Sequence, residues 1–279
     1  MNKQAKSALH MASVLLAVCA SQQALSYSLT LDSVTLDFNV DGNGNEIVHG
    51  QVIDNEYANL GVQIWAENNG GGPDLAVGYS STGSGRDSDL EVGGDNRFDG
   101  GNARNTNAGN LLIIQENNHG CSTGVCSKPD DEGSRPAGAL YIGFDEAIES
   151  TSFDLVDVEQ VERTGASLSL LDQNSNVISG SEITFESLEG QDGITFADNF
   201  YNSIQTIFFG ALNLTSEVFG LKFDLGGSGA INNVTANYAG VTGANDPTSV
   251  PEFDGSTAPI TLALLGGLMA IRREKQRRK

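Results

Sequence analysis

Histidine, tryptophan and cysteine are scarce in this chain of 279 residues, at three, one and three copies. Of the histidines only His49 and His119 lie in the body of the sequence, and neither has a partner at metal-ligand spacing. No nucleophile-elbow motif and no phosphate-binding glycine loop occurs. An enzymatic reading therefore has little to stand on, although carboxylate pairs for glycoside hydrolysis, brought together from separate strands, stay open in so acidic a chain. Basic residues are also few. The two termini hold eight of the 15 basic residues and three of the 36 acidic ones, so residues 27–250 carry 33 acidic against 7 basic groups, a net charge of −26. Such a body repels nucleic acid and anionic lipid, and it favours solubility and cation binding. A sustained helical period is missing from the body too, apart from a weak candidate around Asp198–Ile204.

What the chain does have is a recurring alternation of short apolar runs with clusters of Gly, Asn and Asp. The runs are rich in Val, Ile, Leu, Phe and Thr, and the clusters stop helices and make turns. Strands are predicted at Leu29–Phe38, Gly61–Ala66, Leu111–Gln115, Ala139–Phe144, Ser152–Val158, Ala166–Leu171, Thr206–Leu212, Phe219–Leu225 and Ala230–Tyr238. The fold class this predicts is all-β, an antiparallel β-sandwich of jelly-roll type. Leu111–Ile114 is apolar on both faces and reads as a central strand covered on both sides. Asn68–Asn110 reads as a long polar loop, and Glu116–Pro136 as a second one. No fixed internal period is visible, which counts against solenoids and propellers.

The termini read as addresses. Lys3 and Lys6 precede the apolar run Met11–Ala20, followed by small residues at Val18-Cys19-Ala20 and Ala24-Leu25-Ser26 that suit a signal peptidase. A lipoprotein reading of Leu16-Ala17-Val18-Cys19 is the rival, opposed by Val18, whose position calls for a smaller residue. The expected organisation is a signal peptide over 1–26, a β-sandwich domain over 27–239, a linker over 240–249 and a sorting tail over 250–279. Once Cys19 leaves with the signal, Cys121 and Cys126 remain, and in an oxidising compartment their spacing reads as a small disulfide loop.

The last thirty residues run Val250-Pro251-Glu252-Phe253-Asp254, then an apolar segment Ile260–Ile271, then six basic residues in the last eight. This order resembles the PEP-CTERM sorting signal, with Phe253 where the second proline of the usual motif stands. The resemblance implies export, an exosortase-like processing enzyme as partner, and an exopolysaccharide setting at a Gram-negative surface. The physics of the tail agrees with it. A positive end stays on the cytoplasmic side. Twelve apolar residues span roughly 18 Å as a helix, against roughly 30 Å of hydrocarbon core. Such a segment is a marginal anchor in the inner membrane, suited to being handed on.

Three sets of residues in the body suggest binding. Asp37, Asn39, Asp41 and Asn43 place oxygen-bearing side chains at every second position and then turn at glycine, as calcium loops do. The twelfth position of such a loop is Val48 and not a glutamate, and the flanks read as strands, so an ordinary polar hairpin competes with calcium. Asp87 and Asp89, with Glu91 and Asp95, form a second acidic cluster that either collects a cation or is simply solvated. For stacking on sugar rings the aromatic candidates are Trp65 and Tyr79, with Tyr141, Phe200 and Tyr201 behind them, and core packing is the competing use. The function expected is a non-enzymatic surface or matrix protein associated with exopolysaccharide. Its alternatives are a calcium-assisted carbohydrate-binding module and a polysaccharide-active enzyme.

Overall fold

The computed structural model describes residues 32–82, 90–91, 107–159, 161–191, 194, 196, 204–209 and 216–239. The signal-peptide region, Asp87, Asp89, Asp95, Phe200, Tyr201, most of the weak helical candidate and the whole tail lie outside the described residues. Ten strands are described, and every pairing among them is antiparallel. The all-β expectation holds.

The strands are β1 (Ser33–Leu36), β2 (Val62–Asn68), β3 (Ala76–Ser80), β4 (Asn110–Ile114), β5 (Gly138–Val156), β6 (Ser167–Leu171), β7 (Ile183–Thr184), β8 (Ile204–Phe209), β9 (Val218–Leu225) and β10 (Ala230–Tyr238). Two of the predicted runs, Ala139–Phe144 and Ser152–Val158, fall on the single 19-residue strand β5, the second running two residues past its end at Val156. A shift in register between Gly143 and Ile148 divides it. The first half pairs with β2 and β9, and the second half pairs with β8 and β10. Asp145 and Glu146, at the break, are exposed.

The two halves enclose one core. Val62, Ile64 and Ala66 of β2, Leu140 and Ile142 of β5, and Leu221 and Phe223 of β9 pack with Leu36 of β1, Phe153 and Leu155 of β5, and Ile231 and Val234 of β10. The rings of Phe153 and Phe223 meet edge to face at 4.8 Å across this core, and those of Phe144 and Tyr238 do so at 6.3 Å. Alternation explains the arrangement, because in β2 the odd partners Gln63, Trp65 and Glu67 are carried to the opposite face.

β4 is buried along its whole length. Leu112 and Ile114 enter the main core, while Leu111 and Ile113 enter a second cluster with Val77, Tyr79, Val156 and Ala230. The lid of that second cluster is the polar segment after β4, through Cys121 and Cys126, which are joined by a disulfide at 2.08 Å. Backbone bonds fasten the lid to the rest. The N–H of Cys126 donates to the carbonyl of Gly50 at 2.7 Å, and that of Val52 to the carbonyl of Gly124 at 2.9 Å. Gly50 has φ +85°, and a Cβ there would lie 2.2 Å from the Cys126 carbonyl oxygen, so both its conformation and its neighbour require glycine.

The expectation that 68–110 is a loop throughout is corrected by β3. Ala76–Ser80 pairs with β4 along its length and is almost wholly buried. Its five residues are too few, and its surroundings too polar, to stand out as an apolar run.

Candidate functional site

The loop after β1 settles as a closed turn. The Asp41 carboxylate accepts the N–H groups of Asn43 and Asn45 at 2.8 Å each, and its other oxygen accepts the Asn45 side-chain amide at 2.7 Å. These bonds hold its pKa below the usual carboxylate range. Asn43 is tied down through its side-chain oxygen, which accepts Nδ2 of Asn59 at 3.2 Å. A second loop repeats the device. In Asp172-Gln173-Asn174-Ser175-Asn176 the carboxylate accepts the N–H groups of Asn174 and Asn176 at 2.8 and 2.9 Å, and its pKa is lowered in the same way. In both loops the fourth residue, Gly44 or Ser175, takes a positive φ. The shared pattern Asp-x-Asn-x-Asn is thus a hairpin turn in which the acid satisfies the backbone of its own loop. Among the described residues, no three carboxylate, imidazole or thiol groups converge on one point.

Asp37 and Asn39 have a different setting. They line a cleft of about 400 Å³ together with Asn107, Gly109, Asp154 and Asn233. β1 supplies Asp37 at its end, β5 supplies Asp154, and β10 supplies Asn233. The pairing of β10 with β5 carries one extra residue between Asn232 and Thr235, and Asn233 sits there at φ +47°. A bulge of this kind turns a side chain off the ladder, and asparagine tolerates the left-handed conformation. Here Nδ2 of Asn233 donates to Asp154 at 2.6 Å, and the Thr206 hydroxyl donates to the other Asp154 oxygen at 2.5 Å. Beneath them Asn232 is buried, its Nδ2 donating to the carbonyl of Ala108 at 2.7 Å. Oδ1 of Asp37 accepts the Asn39 N–H at 3.0 Å, Oδ1 of Asn39 accepts the Asn110 N–H at 2.9 Å, and Oδ1 of Asn107 accepts the Gly109 N–H at 2.8 Å. Sequence reasoning reached Asp37 and Asn39 but missed Asp154, Asn107 and Asn233. Asp154 sits in an apolar strand run, and the bulge that aims Asn233 leaves no pattern in the sequence.

The aromatic candidates separate. Tyr79 is fully buried, its ring against His49 at 4.8 Å and its hydroxyl donating to Glu91 at 3.0 Å. It has no face to offer a sugar, and the sequence suggestion is corrected by its place in the second cluster. Trp65 lies on the outer face of β2, partly exposed, stacked on Tyr141 at 4.9 Å with the planes 6° apart. The row runs on through Lys222, which sits 5.9 Å over the Tyr141 ring and pairs with Asp224 at 2.7 Å. The Tyr141 hydroxyl donates to Glu67 at 2.7 Å, and burial together with that carboxylate pushes its pKa up. The His49 Nδ1 accepts the Ser80 N–H at 3.0 Å, which places the imidazole in the structural framework of β3.

Residues 250–279 match the family model of the VPEID-CTERM protein sorting domain. This end of the chain is a PEP-CTERM-like sorting signal of the variant type, and it marks an exported, surface-directed protein. The five letters of the family name read onto Val250-Pro251-Glu252-Phe253-Asp254, with phenylalanine at the isoleucine position. Asp254 belongs to the motif, a point the comparison with a Pro-Glu-Pro pattern does not bring out. A sorting domain of this kind implies a sorting enzyme of the exosortase type. No curated relative matches the sequence. Among solved structures, the K2 cleaved adhesin domain of Lys-gingipain is similar at 8% identity over 74% of this chain and 97% of that one, with a TM-score of 0.29. So loose a superposition assigns neither fold nor function.

Proposed function

We propose that this is a non-enzymatic protein of the cell surface or extracellular matrix of a Gram-negative envelope. In this reading its tail holds it in the inner membrane until an exosortase-like enzyme processes it, and its acidic β body is then held among exopolysaccharide. The observation that carries the reading is the sorting domain at 250–279. A net charge of −26 over the body keeps such a protein soluble outside the cell and turned away from anionic lipid.

Mass spectrometry of the protein from its native host tests the first half: the expected mature chain lacks both the N-terminal apolar run and Arg272–Lys279. Retention of both ends would overturn it. Co-fractionation with extracellular polysaccharide tests the second half, the expected result being loss of surface retention when that polysaccharide is absent.

A second reading, a carbohydrate-binding module, is favoured by the Trp65–Tyr141 row with its flanking polar groups. Trp65→Ala abolishing glycan binding would support it.

A further inference from the structure

We propose that the cleft between the end of β1, β5 and β10 binds one uncharged sugar residue of a polysaccharide through its hydroxyl groups. The proposal rests on the matrix reading above and names where the contact is made.

The cleft leaves several polar side-chain atoms uncommitted. Among the described residues, Oδ2 of Asp37 and Oδ1 of Asn233 accept no hydrogen bond, and the Nδ2 groups of Asn39 and Asn107 donate none, while the opposite atom of each side chain is engaged. Those engaged atoms fix the orientation of each amide, because flipping any of them would set donor against donor or acceptor against acceptor. The cleft therefore presents two acceptors and two donors in fixed places.

A metal ion needs acceptors only, so the two NH2 groups work against it. An anion is opposed by Asp37, by Asp154 and by the charge of the body. A sugar hydroxyl is donor and acceptor at once and uses both kinds of group. Ala108 completes the lining with apolar surface for the C–H side of a ring, while Val156 behind it is buried in the second cluster. A volume of about 400 Å³ lies toward the small end of ligand pockets, roughly 300–1,000 Å³. That suits one or two rings and not a longer stretch of chain.

Two nearly isosteric substitutions test the assignment. Asp37→Asn keeps the acceptor for the Asn39 N–H and converts the free oxygen into a donor. Asn107→Asp keeps the acceptor for the Gly109 N–H and converts the free NH2 into an oxygen. The probe is an array of neutral hexose, deoxyhexose and N-acetylhexosamine oligosaccharides, read with the mature exported protein, with and without chelator, thermal melts confirming that each variant is folded. Expected is chelator-insensitive binding to neutral glycans, weakened about tenfold by each substitution: Asp37→Asn removes the charged acceptor of a hydroxyl hydrogen, and Asn107→Asp sets a second acceptor against a hydroxyl whose single hydrogen is already given to Asp37. Val177→Ala, an exposed position outside the cleft, is the variant expected to leave it unchanged, and Trp65→Ala is run beside it to test the aromatic row.

Binding that Asn107→Asp strengthens and chelator abolishes would make this a cation site and overturn the proposal. Binding that only Trp65→Ala removes would move the site to the aromatic row and overturn it as well. Silence on the array from a protein that still co-fractionates with matrix polysaccharide overturns the cleft assignment alone, whereas failure of both removes the matrix reading too.

Discussion

His49 is a half-buried base with its acceptor nitrogen already in use. Burial lowers its pKa, and the nearby Glu91 carboxylate offsets part of that effect. The unfolded chain takes up the proton first, near the ordinary histidine value of about 6.5, so the folded state loses stability as pH falls through that value. The urea midpoint of the native protein is expected to fall more between pH 7.5 and 5.5 than that of His49→Gln, a comparison in which the carboxylates common to both cancel. Asp41 and Asp172 act in a lower window. Their folded pKa values are depressed, so the stability they give is present above the unfolded value of about 3.9 and fades as pH falls through the folded one. Asp41→Ala and Asp172→Ala should each lower the urea midpoint at neutral pH, and Asp41→Asn, which keeps an acceptor, should do so less. With its carboxylate already filled by three donors of its own loop, Asp41 has little left for a cation. The shift in melting temperature on adding millimolar calcium is expected to be the same for the native protein and Asp41→Asn.

At the scale of elements, the lid over β3 and β4 is where the sequence and the fold diverge most. Leu111–Ile114 announces a strand covered on both sides, because four consecutive apolar residues leave no wet face, and the structure provides both covers. The outer cover is invisible in the sequence: Glu116–Pro136 is polar, and it buries Leu111 and Ile113 only through Cys121, Cys126 and a few backbone bonds. The split of β5 into two pairing halves is equally hidden, since Gly143 and the polar residues after it at the register break read the same in the sequence whether they divide one strand or join two. The half of the cleft on β1 was legible because alternating oxygen side chains are a pattern. The half on β5 and β10 depends on contacts distant in sequence, so no local pattern records it. Closing the short loop between Cys121 and Cys126 restricts the unfolded chain by about 2 kcal/mol in the chain-entropy account. Reduction should therefore lower stability by about that amount in urea melts. Leu111→Ala, which empties the space beneath the lid, should cost more, about 2–5 kcal/mol. A Leu111→Ala effect below that of reduction would mean that the lid rides on the sheet without packing against it.

For the whole molecule the question is how a chain with an acidic body and a basic end is sorted. The charge separation is extreme: residues 27–250 carry −26, while six of the last eight residues are basic. In the proposed sorting route the positive-inside rule keeps the basic end in the cytoplasm and turns the body outward, so the apolar stretch Ile260–Ile271 would cross in one defined sense. Twelve residues wound as a helix would fall short of a full span by roughly 12 Å, from 1.5 Å per residue against a core of about 30 Å. Orientation therefore rests on the basic cluster more than on the hydrophobic segment itself. Replacing all six terminal Arg and Lys residues with Gln should release the tail from its cytoplasmic anchor. Intact precursor, still carrying Val250-Pro251-Glu252 and everything after it, is then expected in the periplasm or medium, detected by its mass. Lengthening Ile260–Ile271 by about eight leucines in the same variant should restore membrane retention, because about 20 apolar residues span the core without help from flanking charge. If the six-Gln variant were instead cut and displayed like the native protein, the positive cluster would have no part in orienting the tail, and the sorting enzyme would be reading the Val-Pro-Glu motif alone.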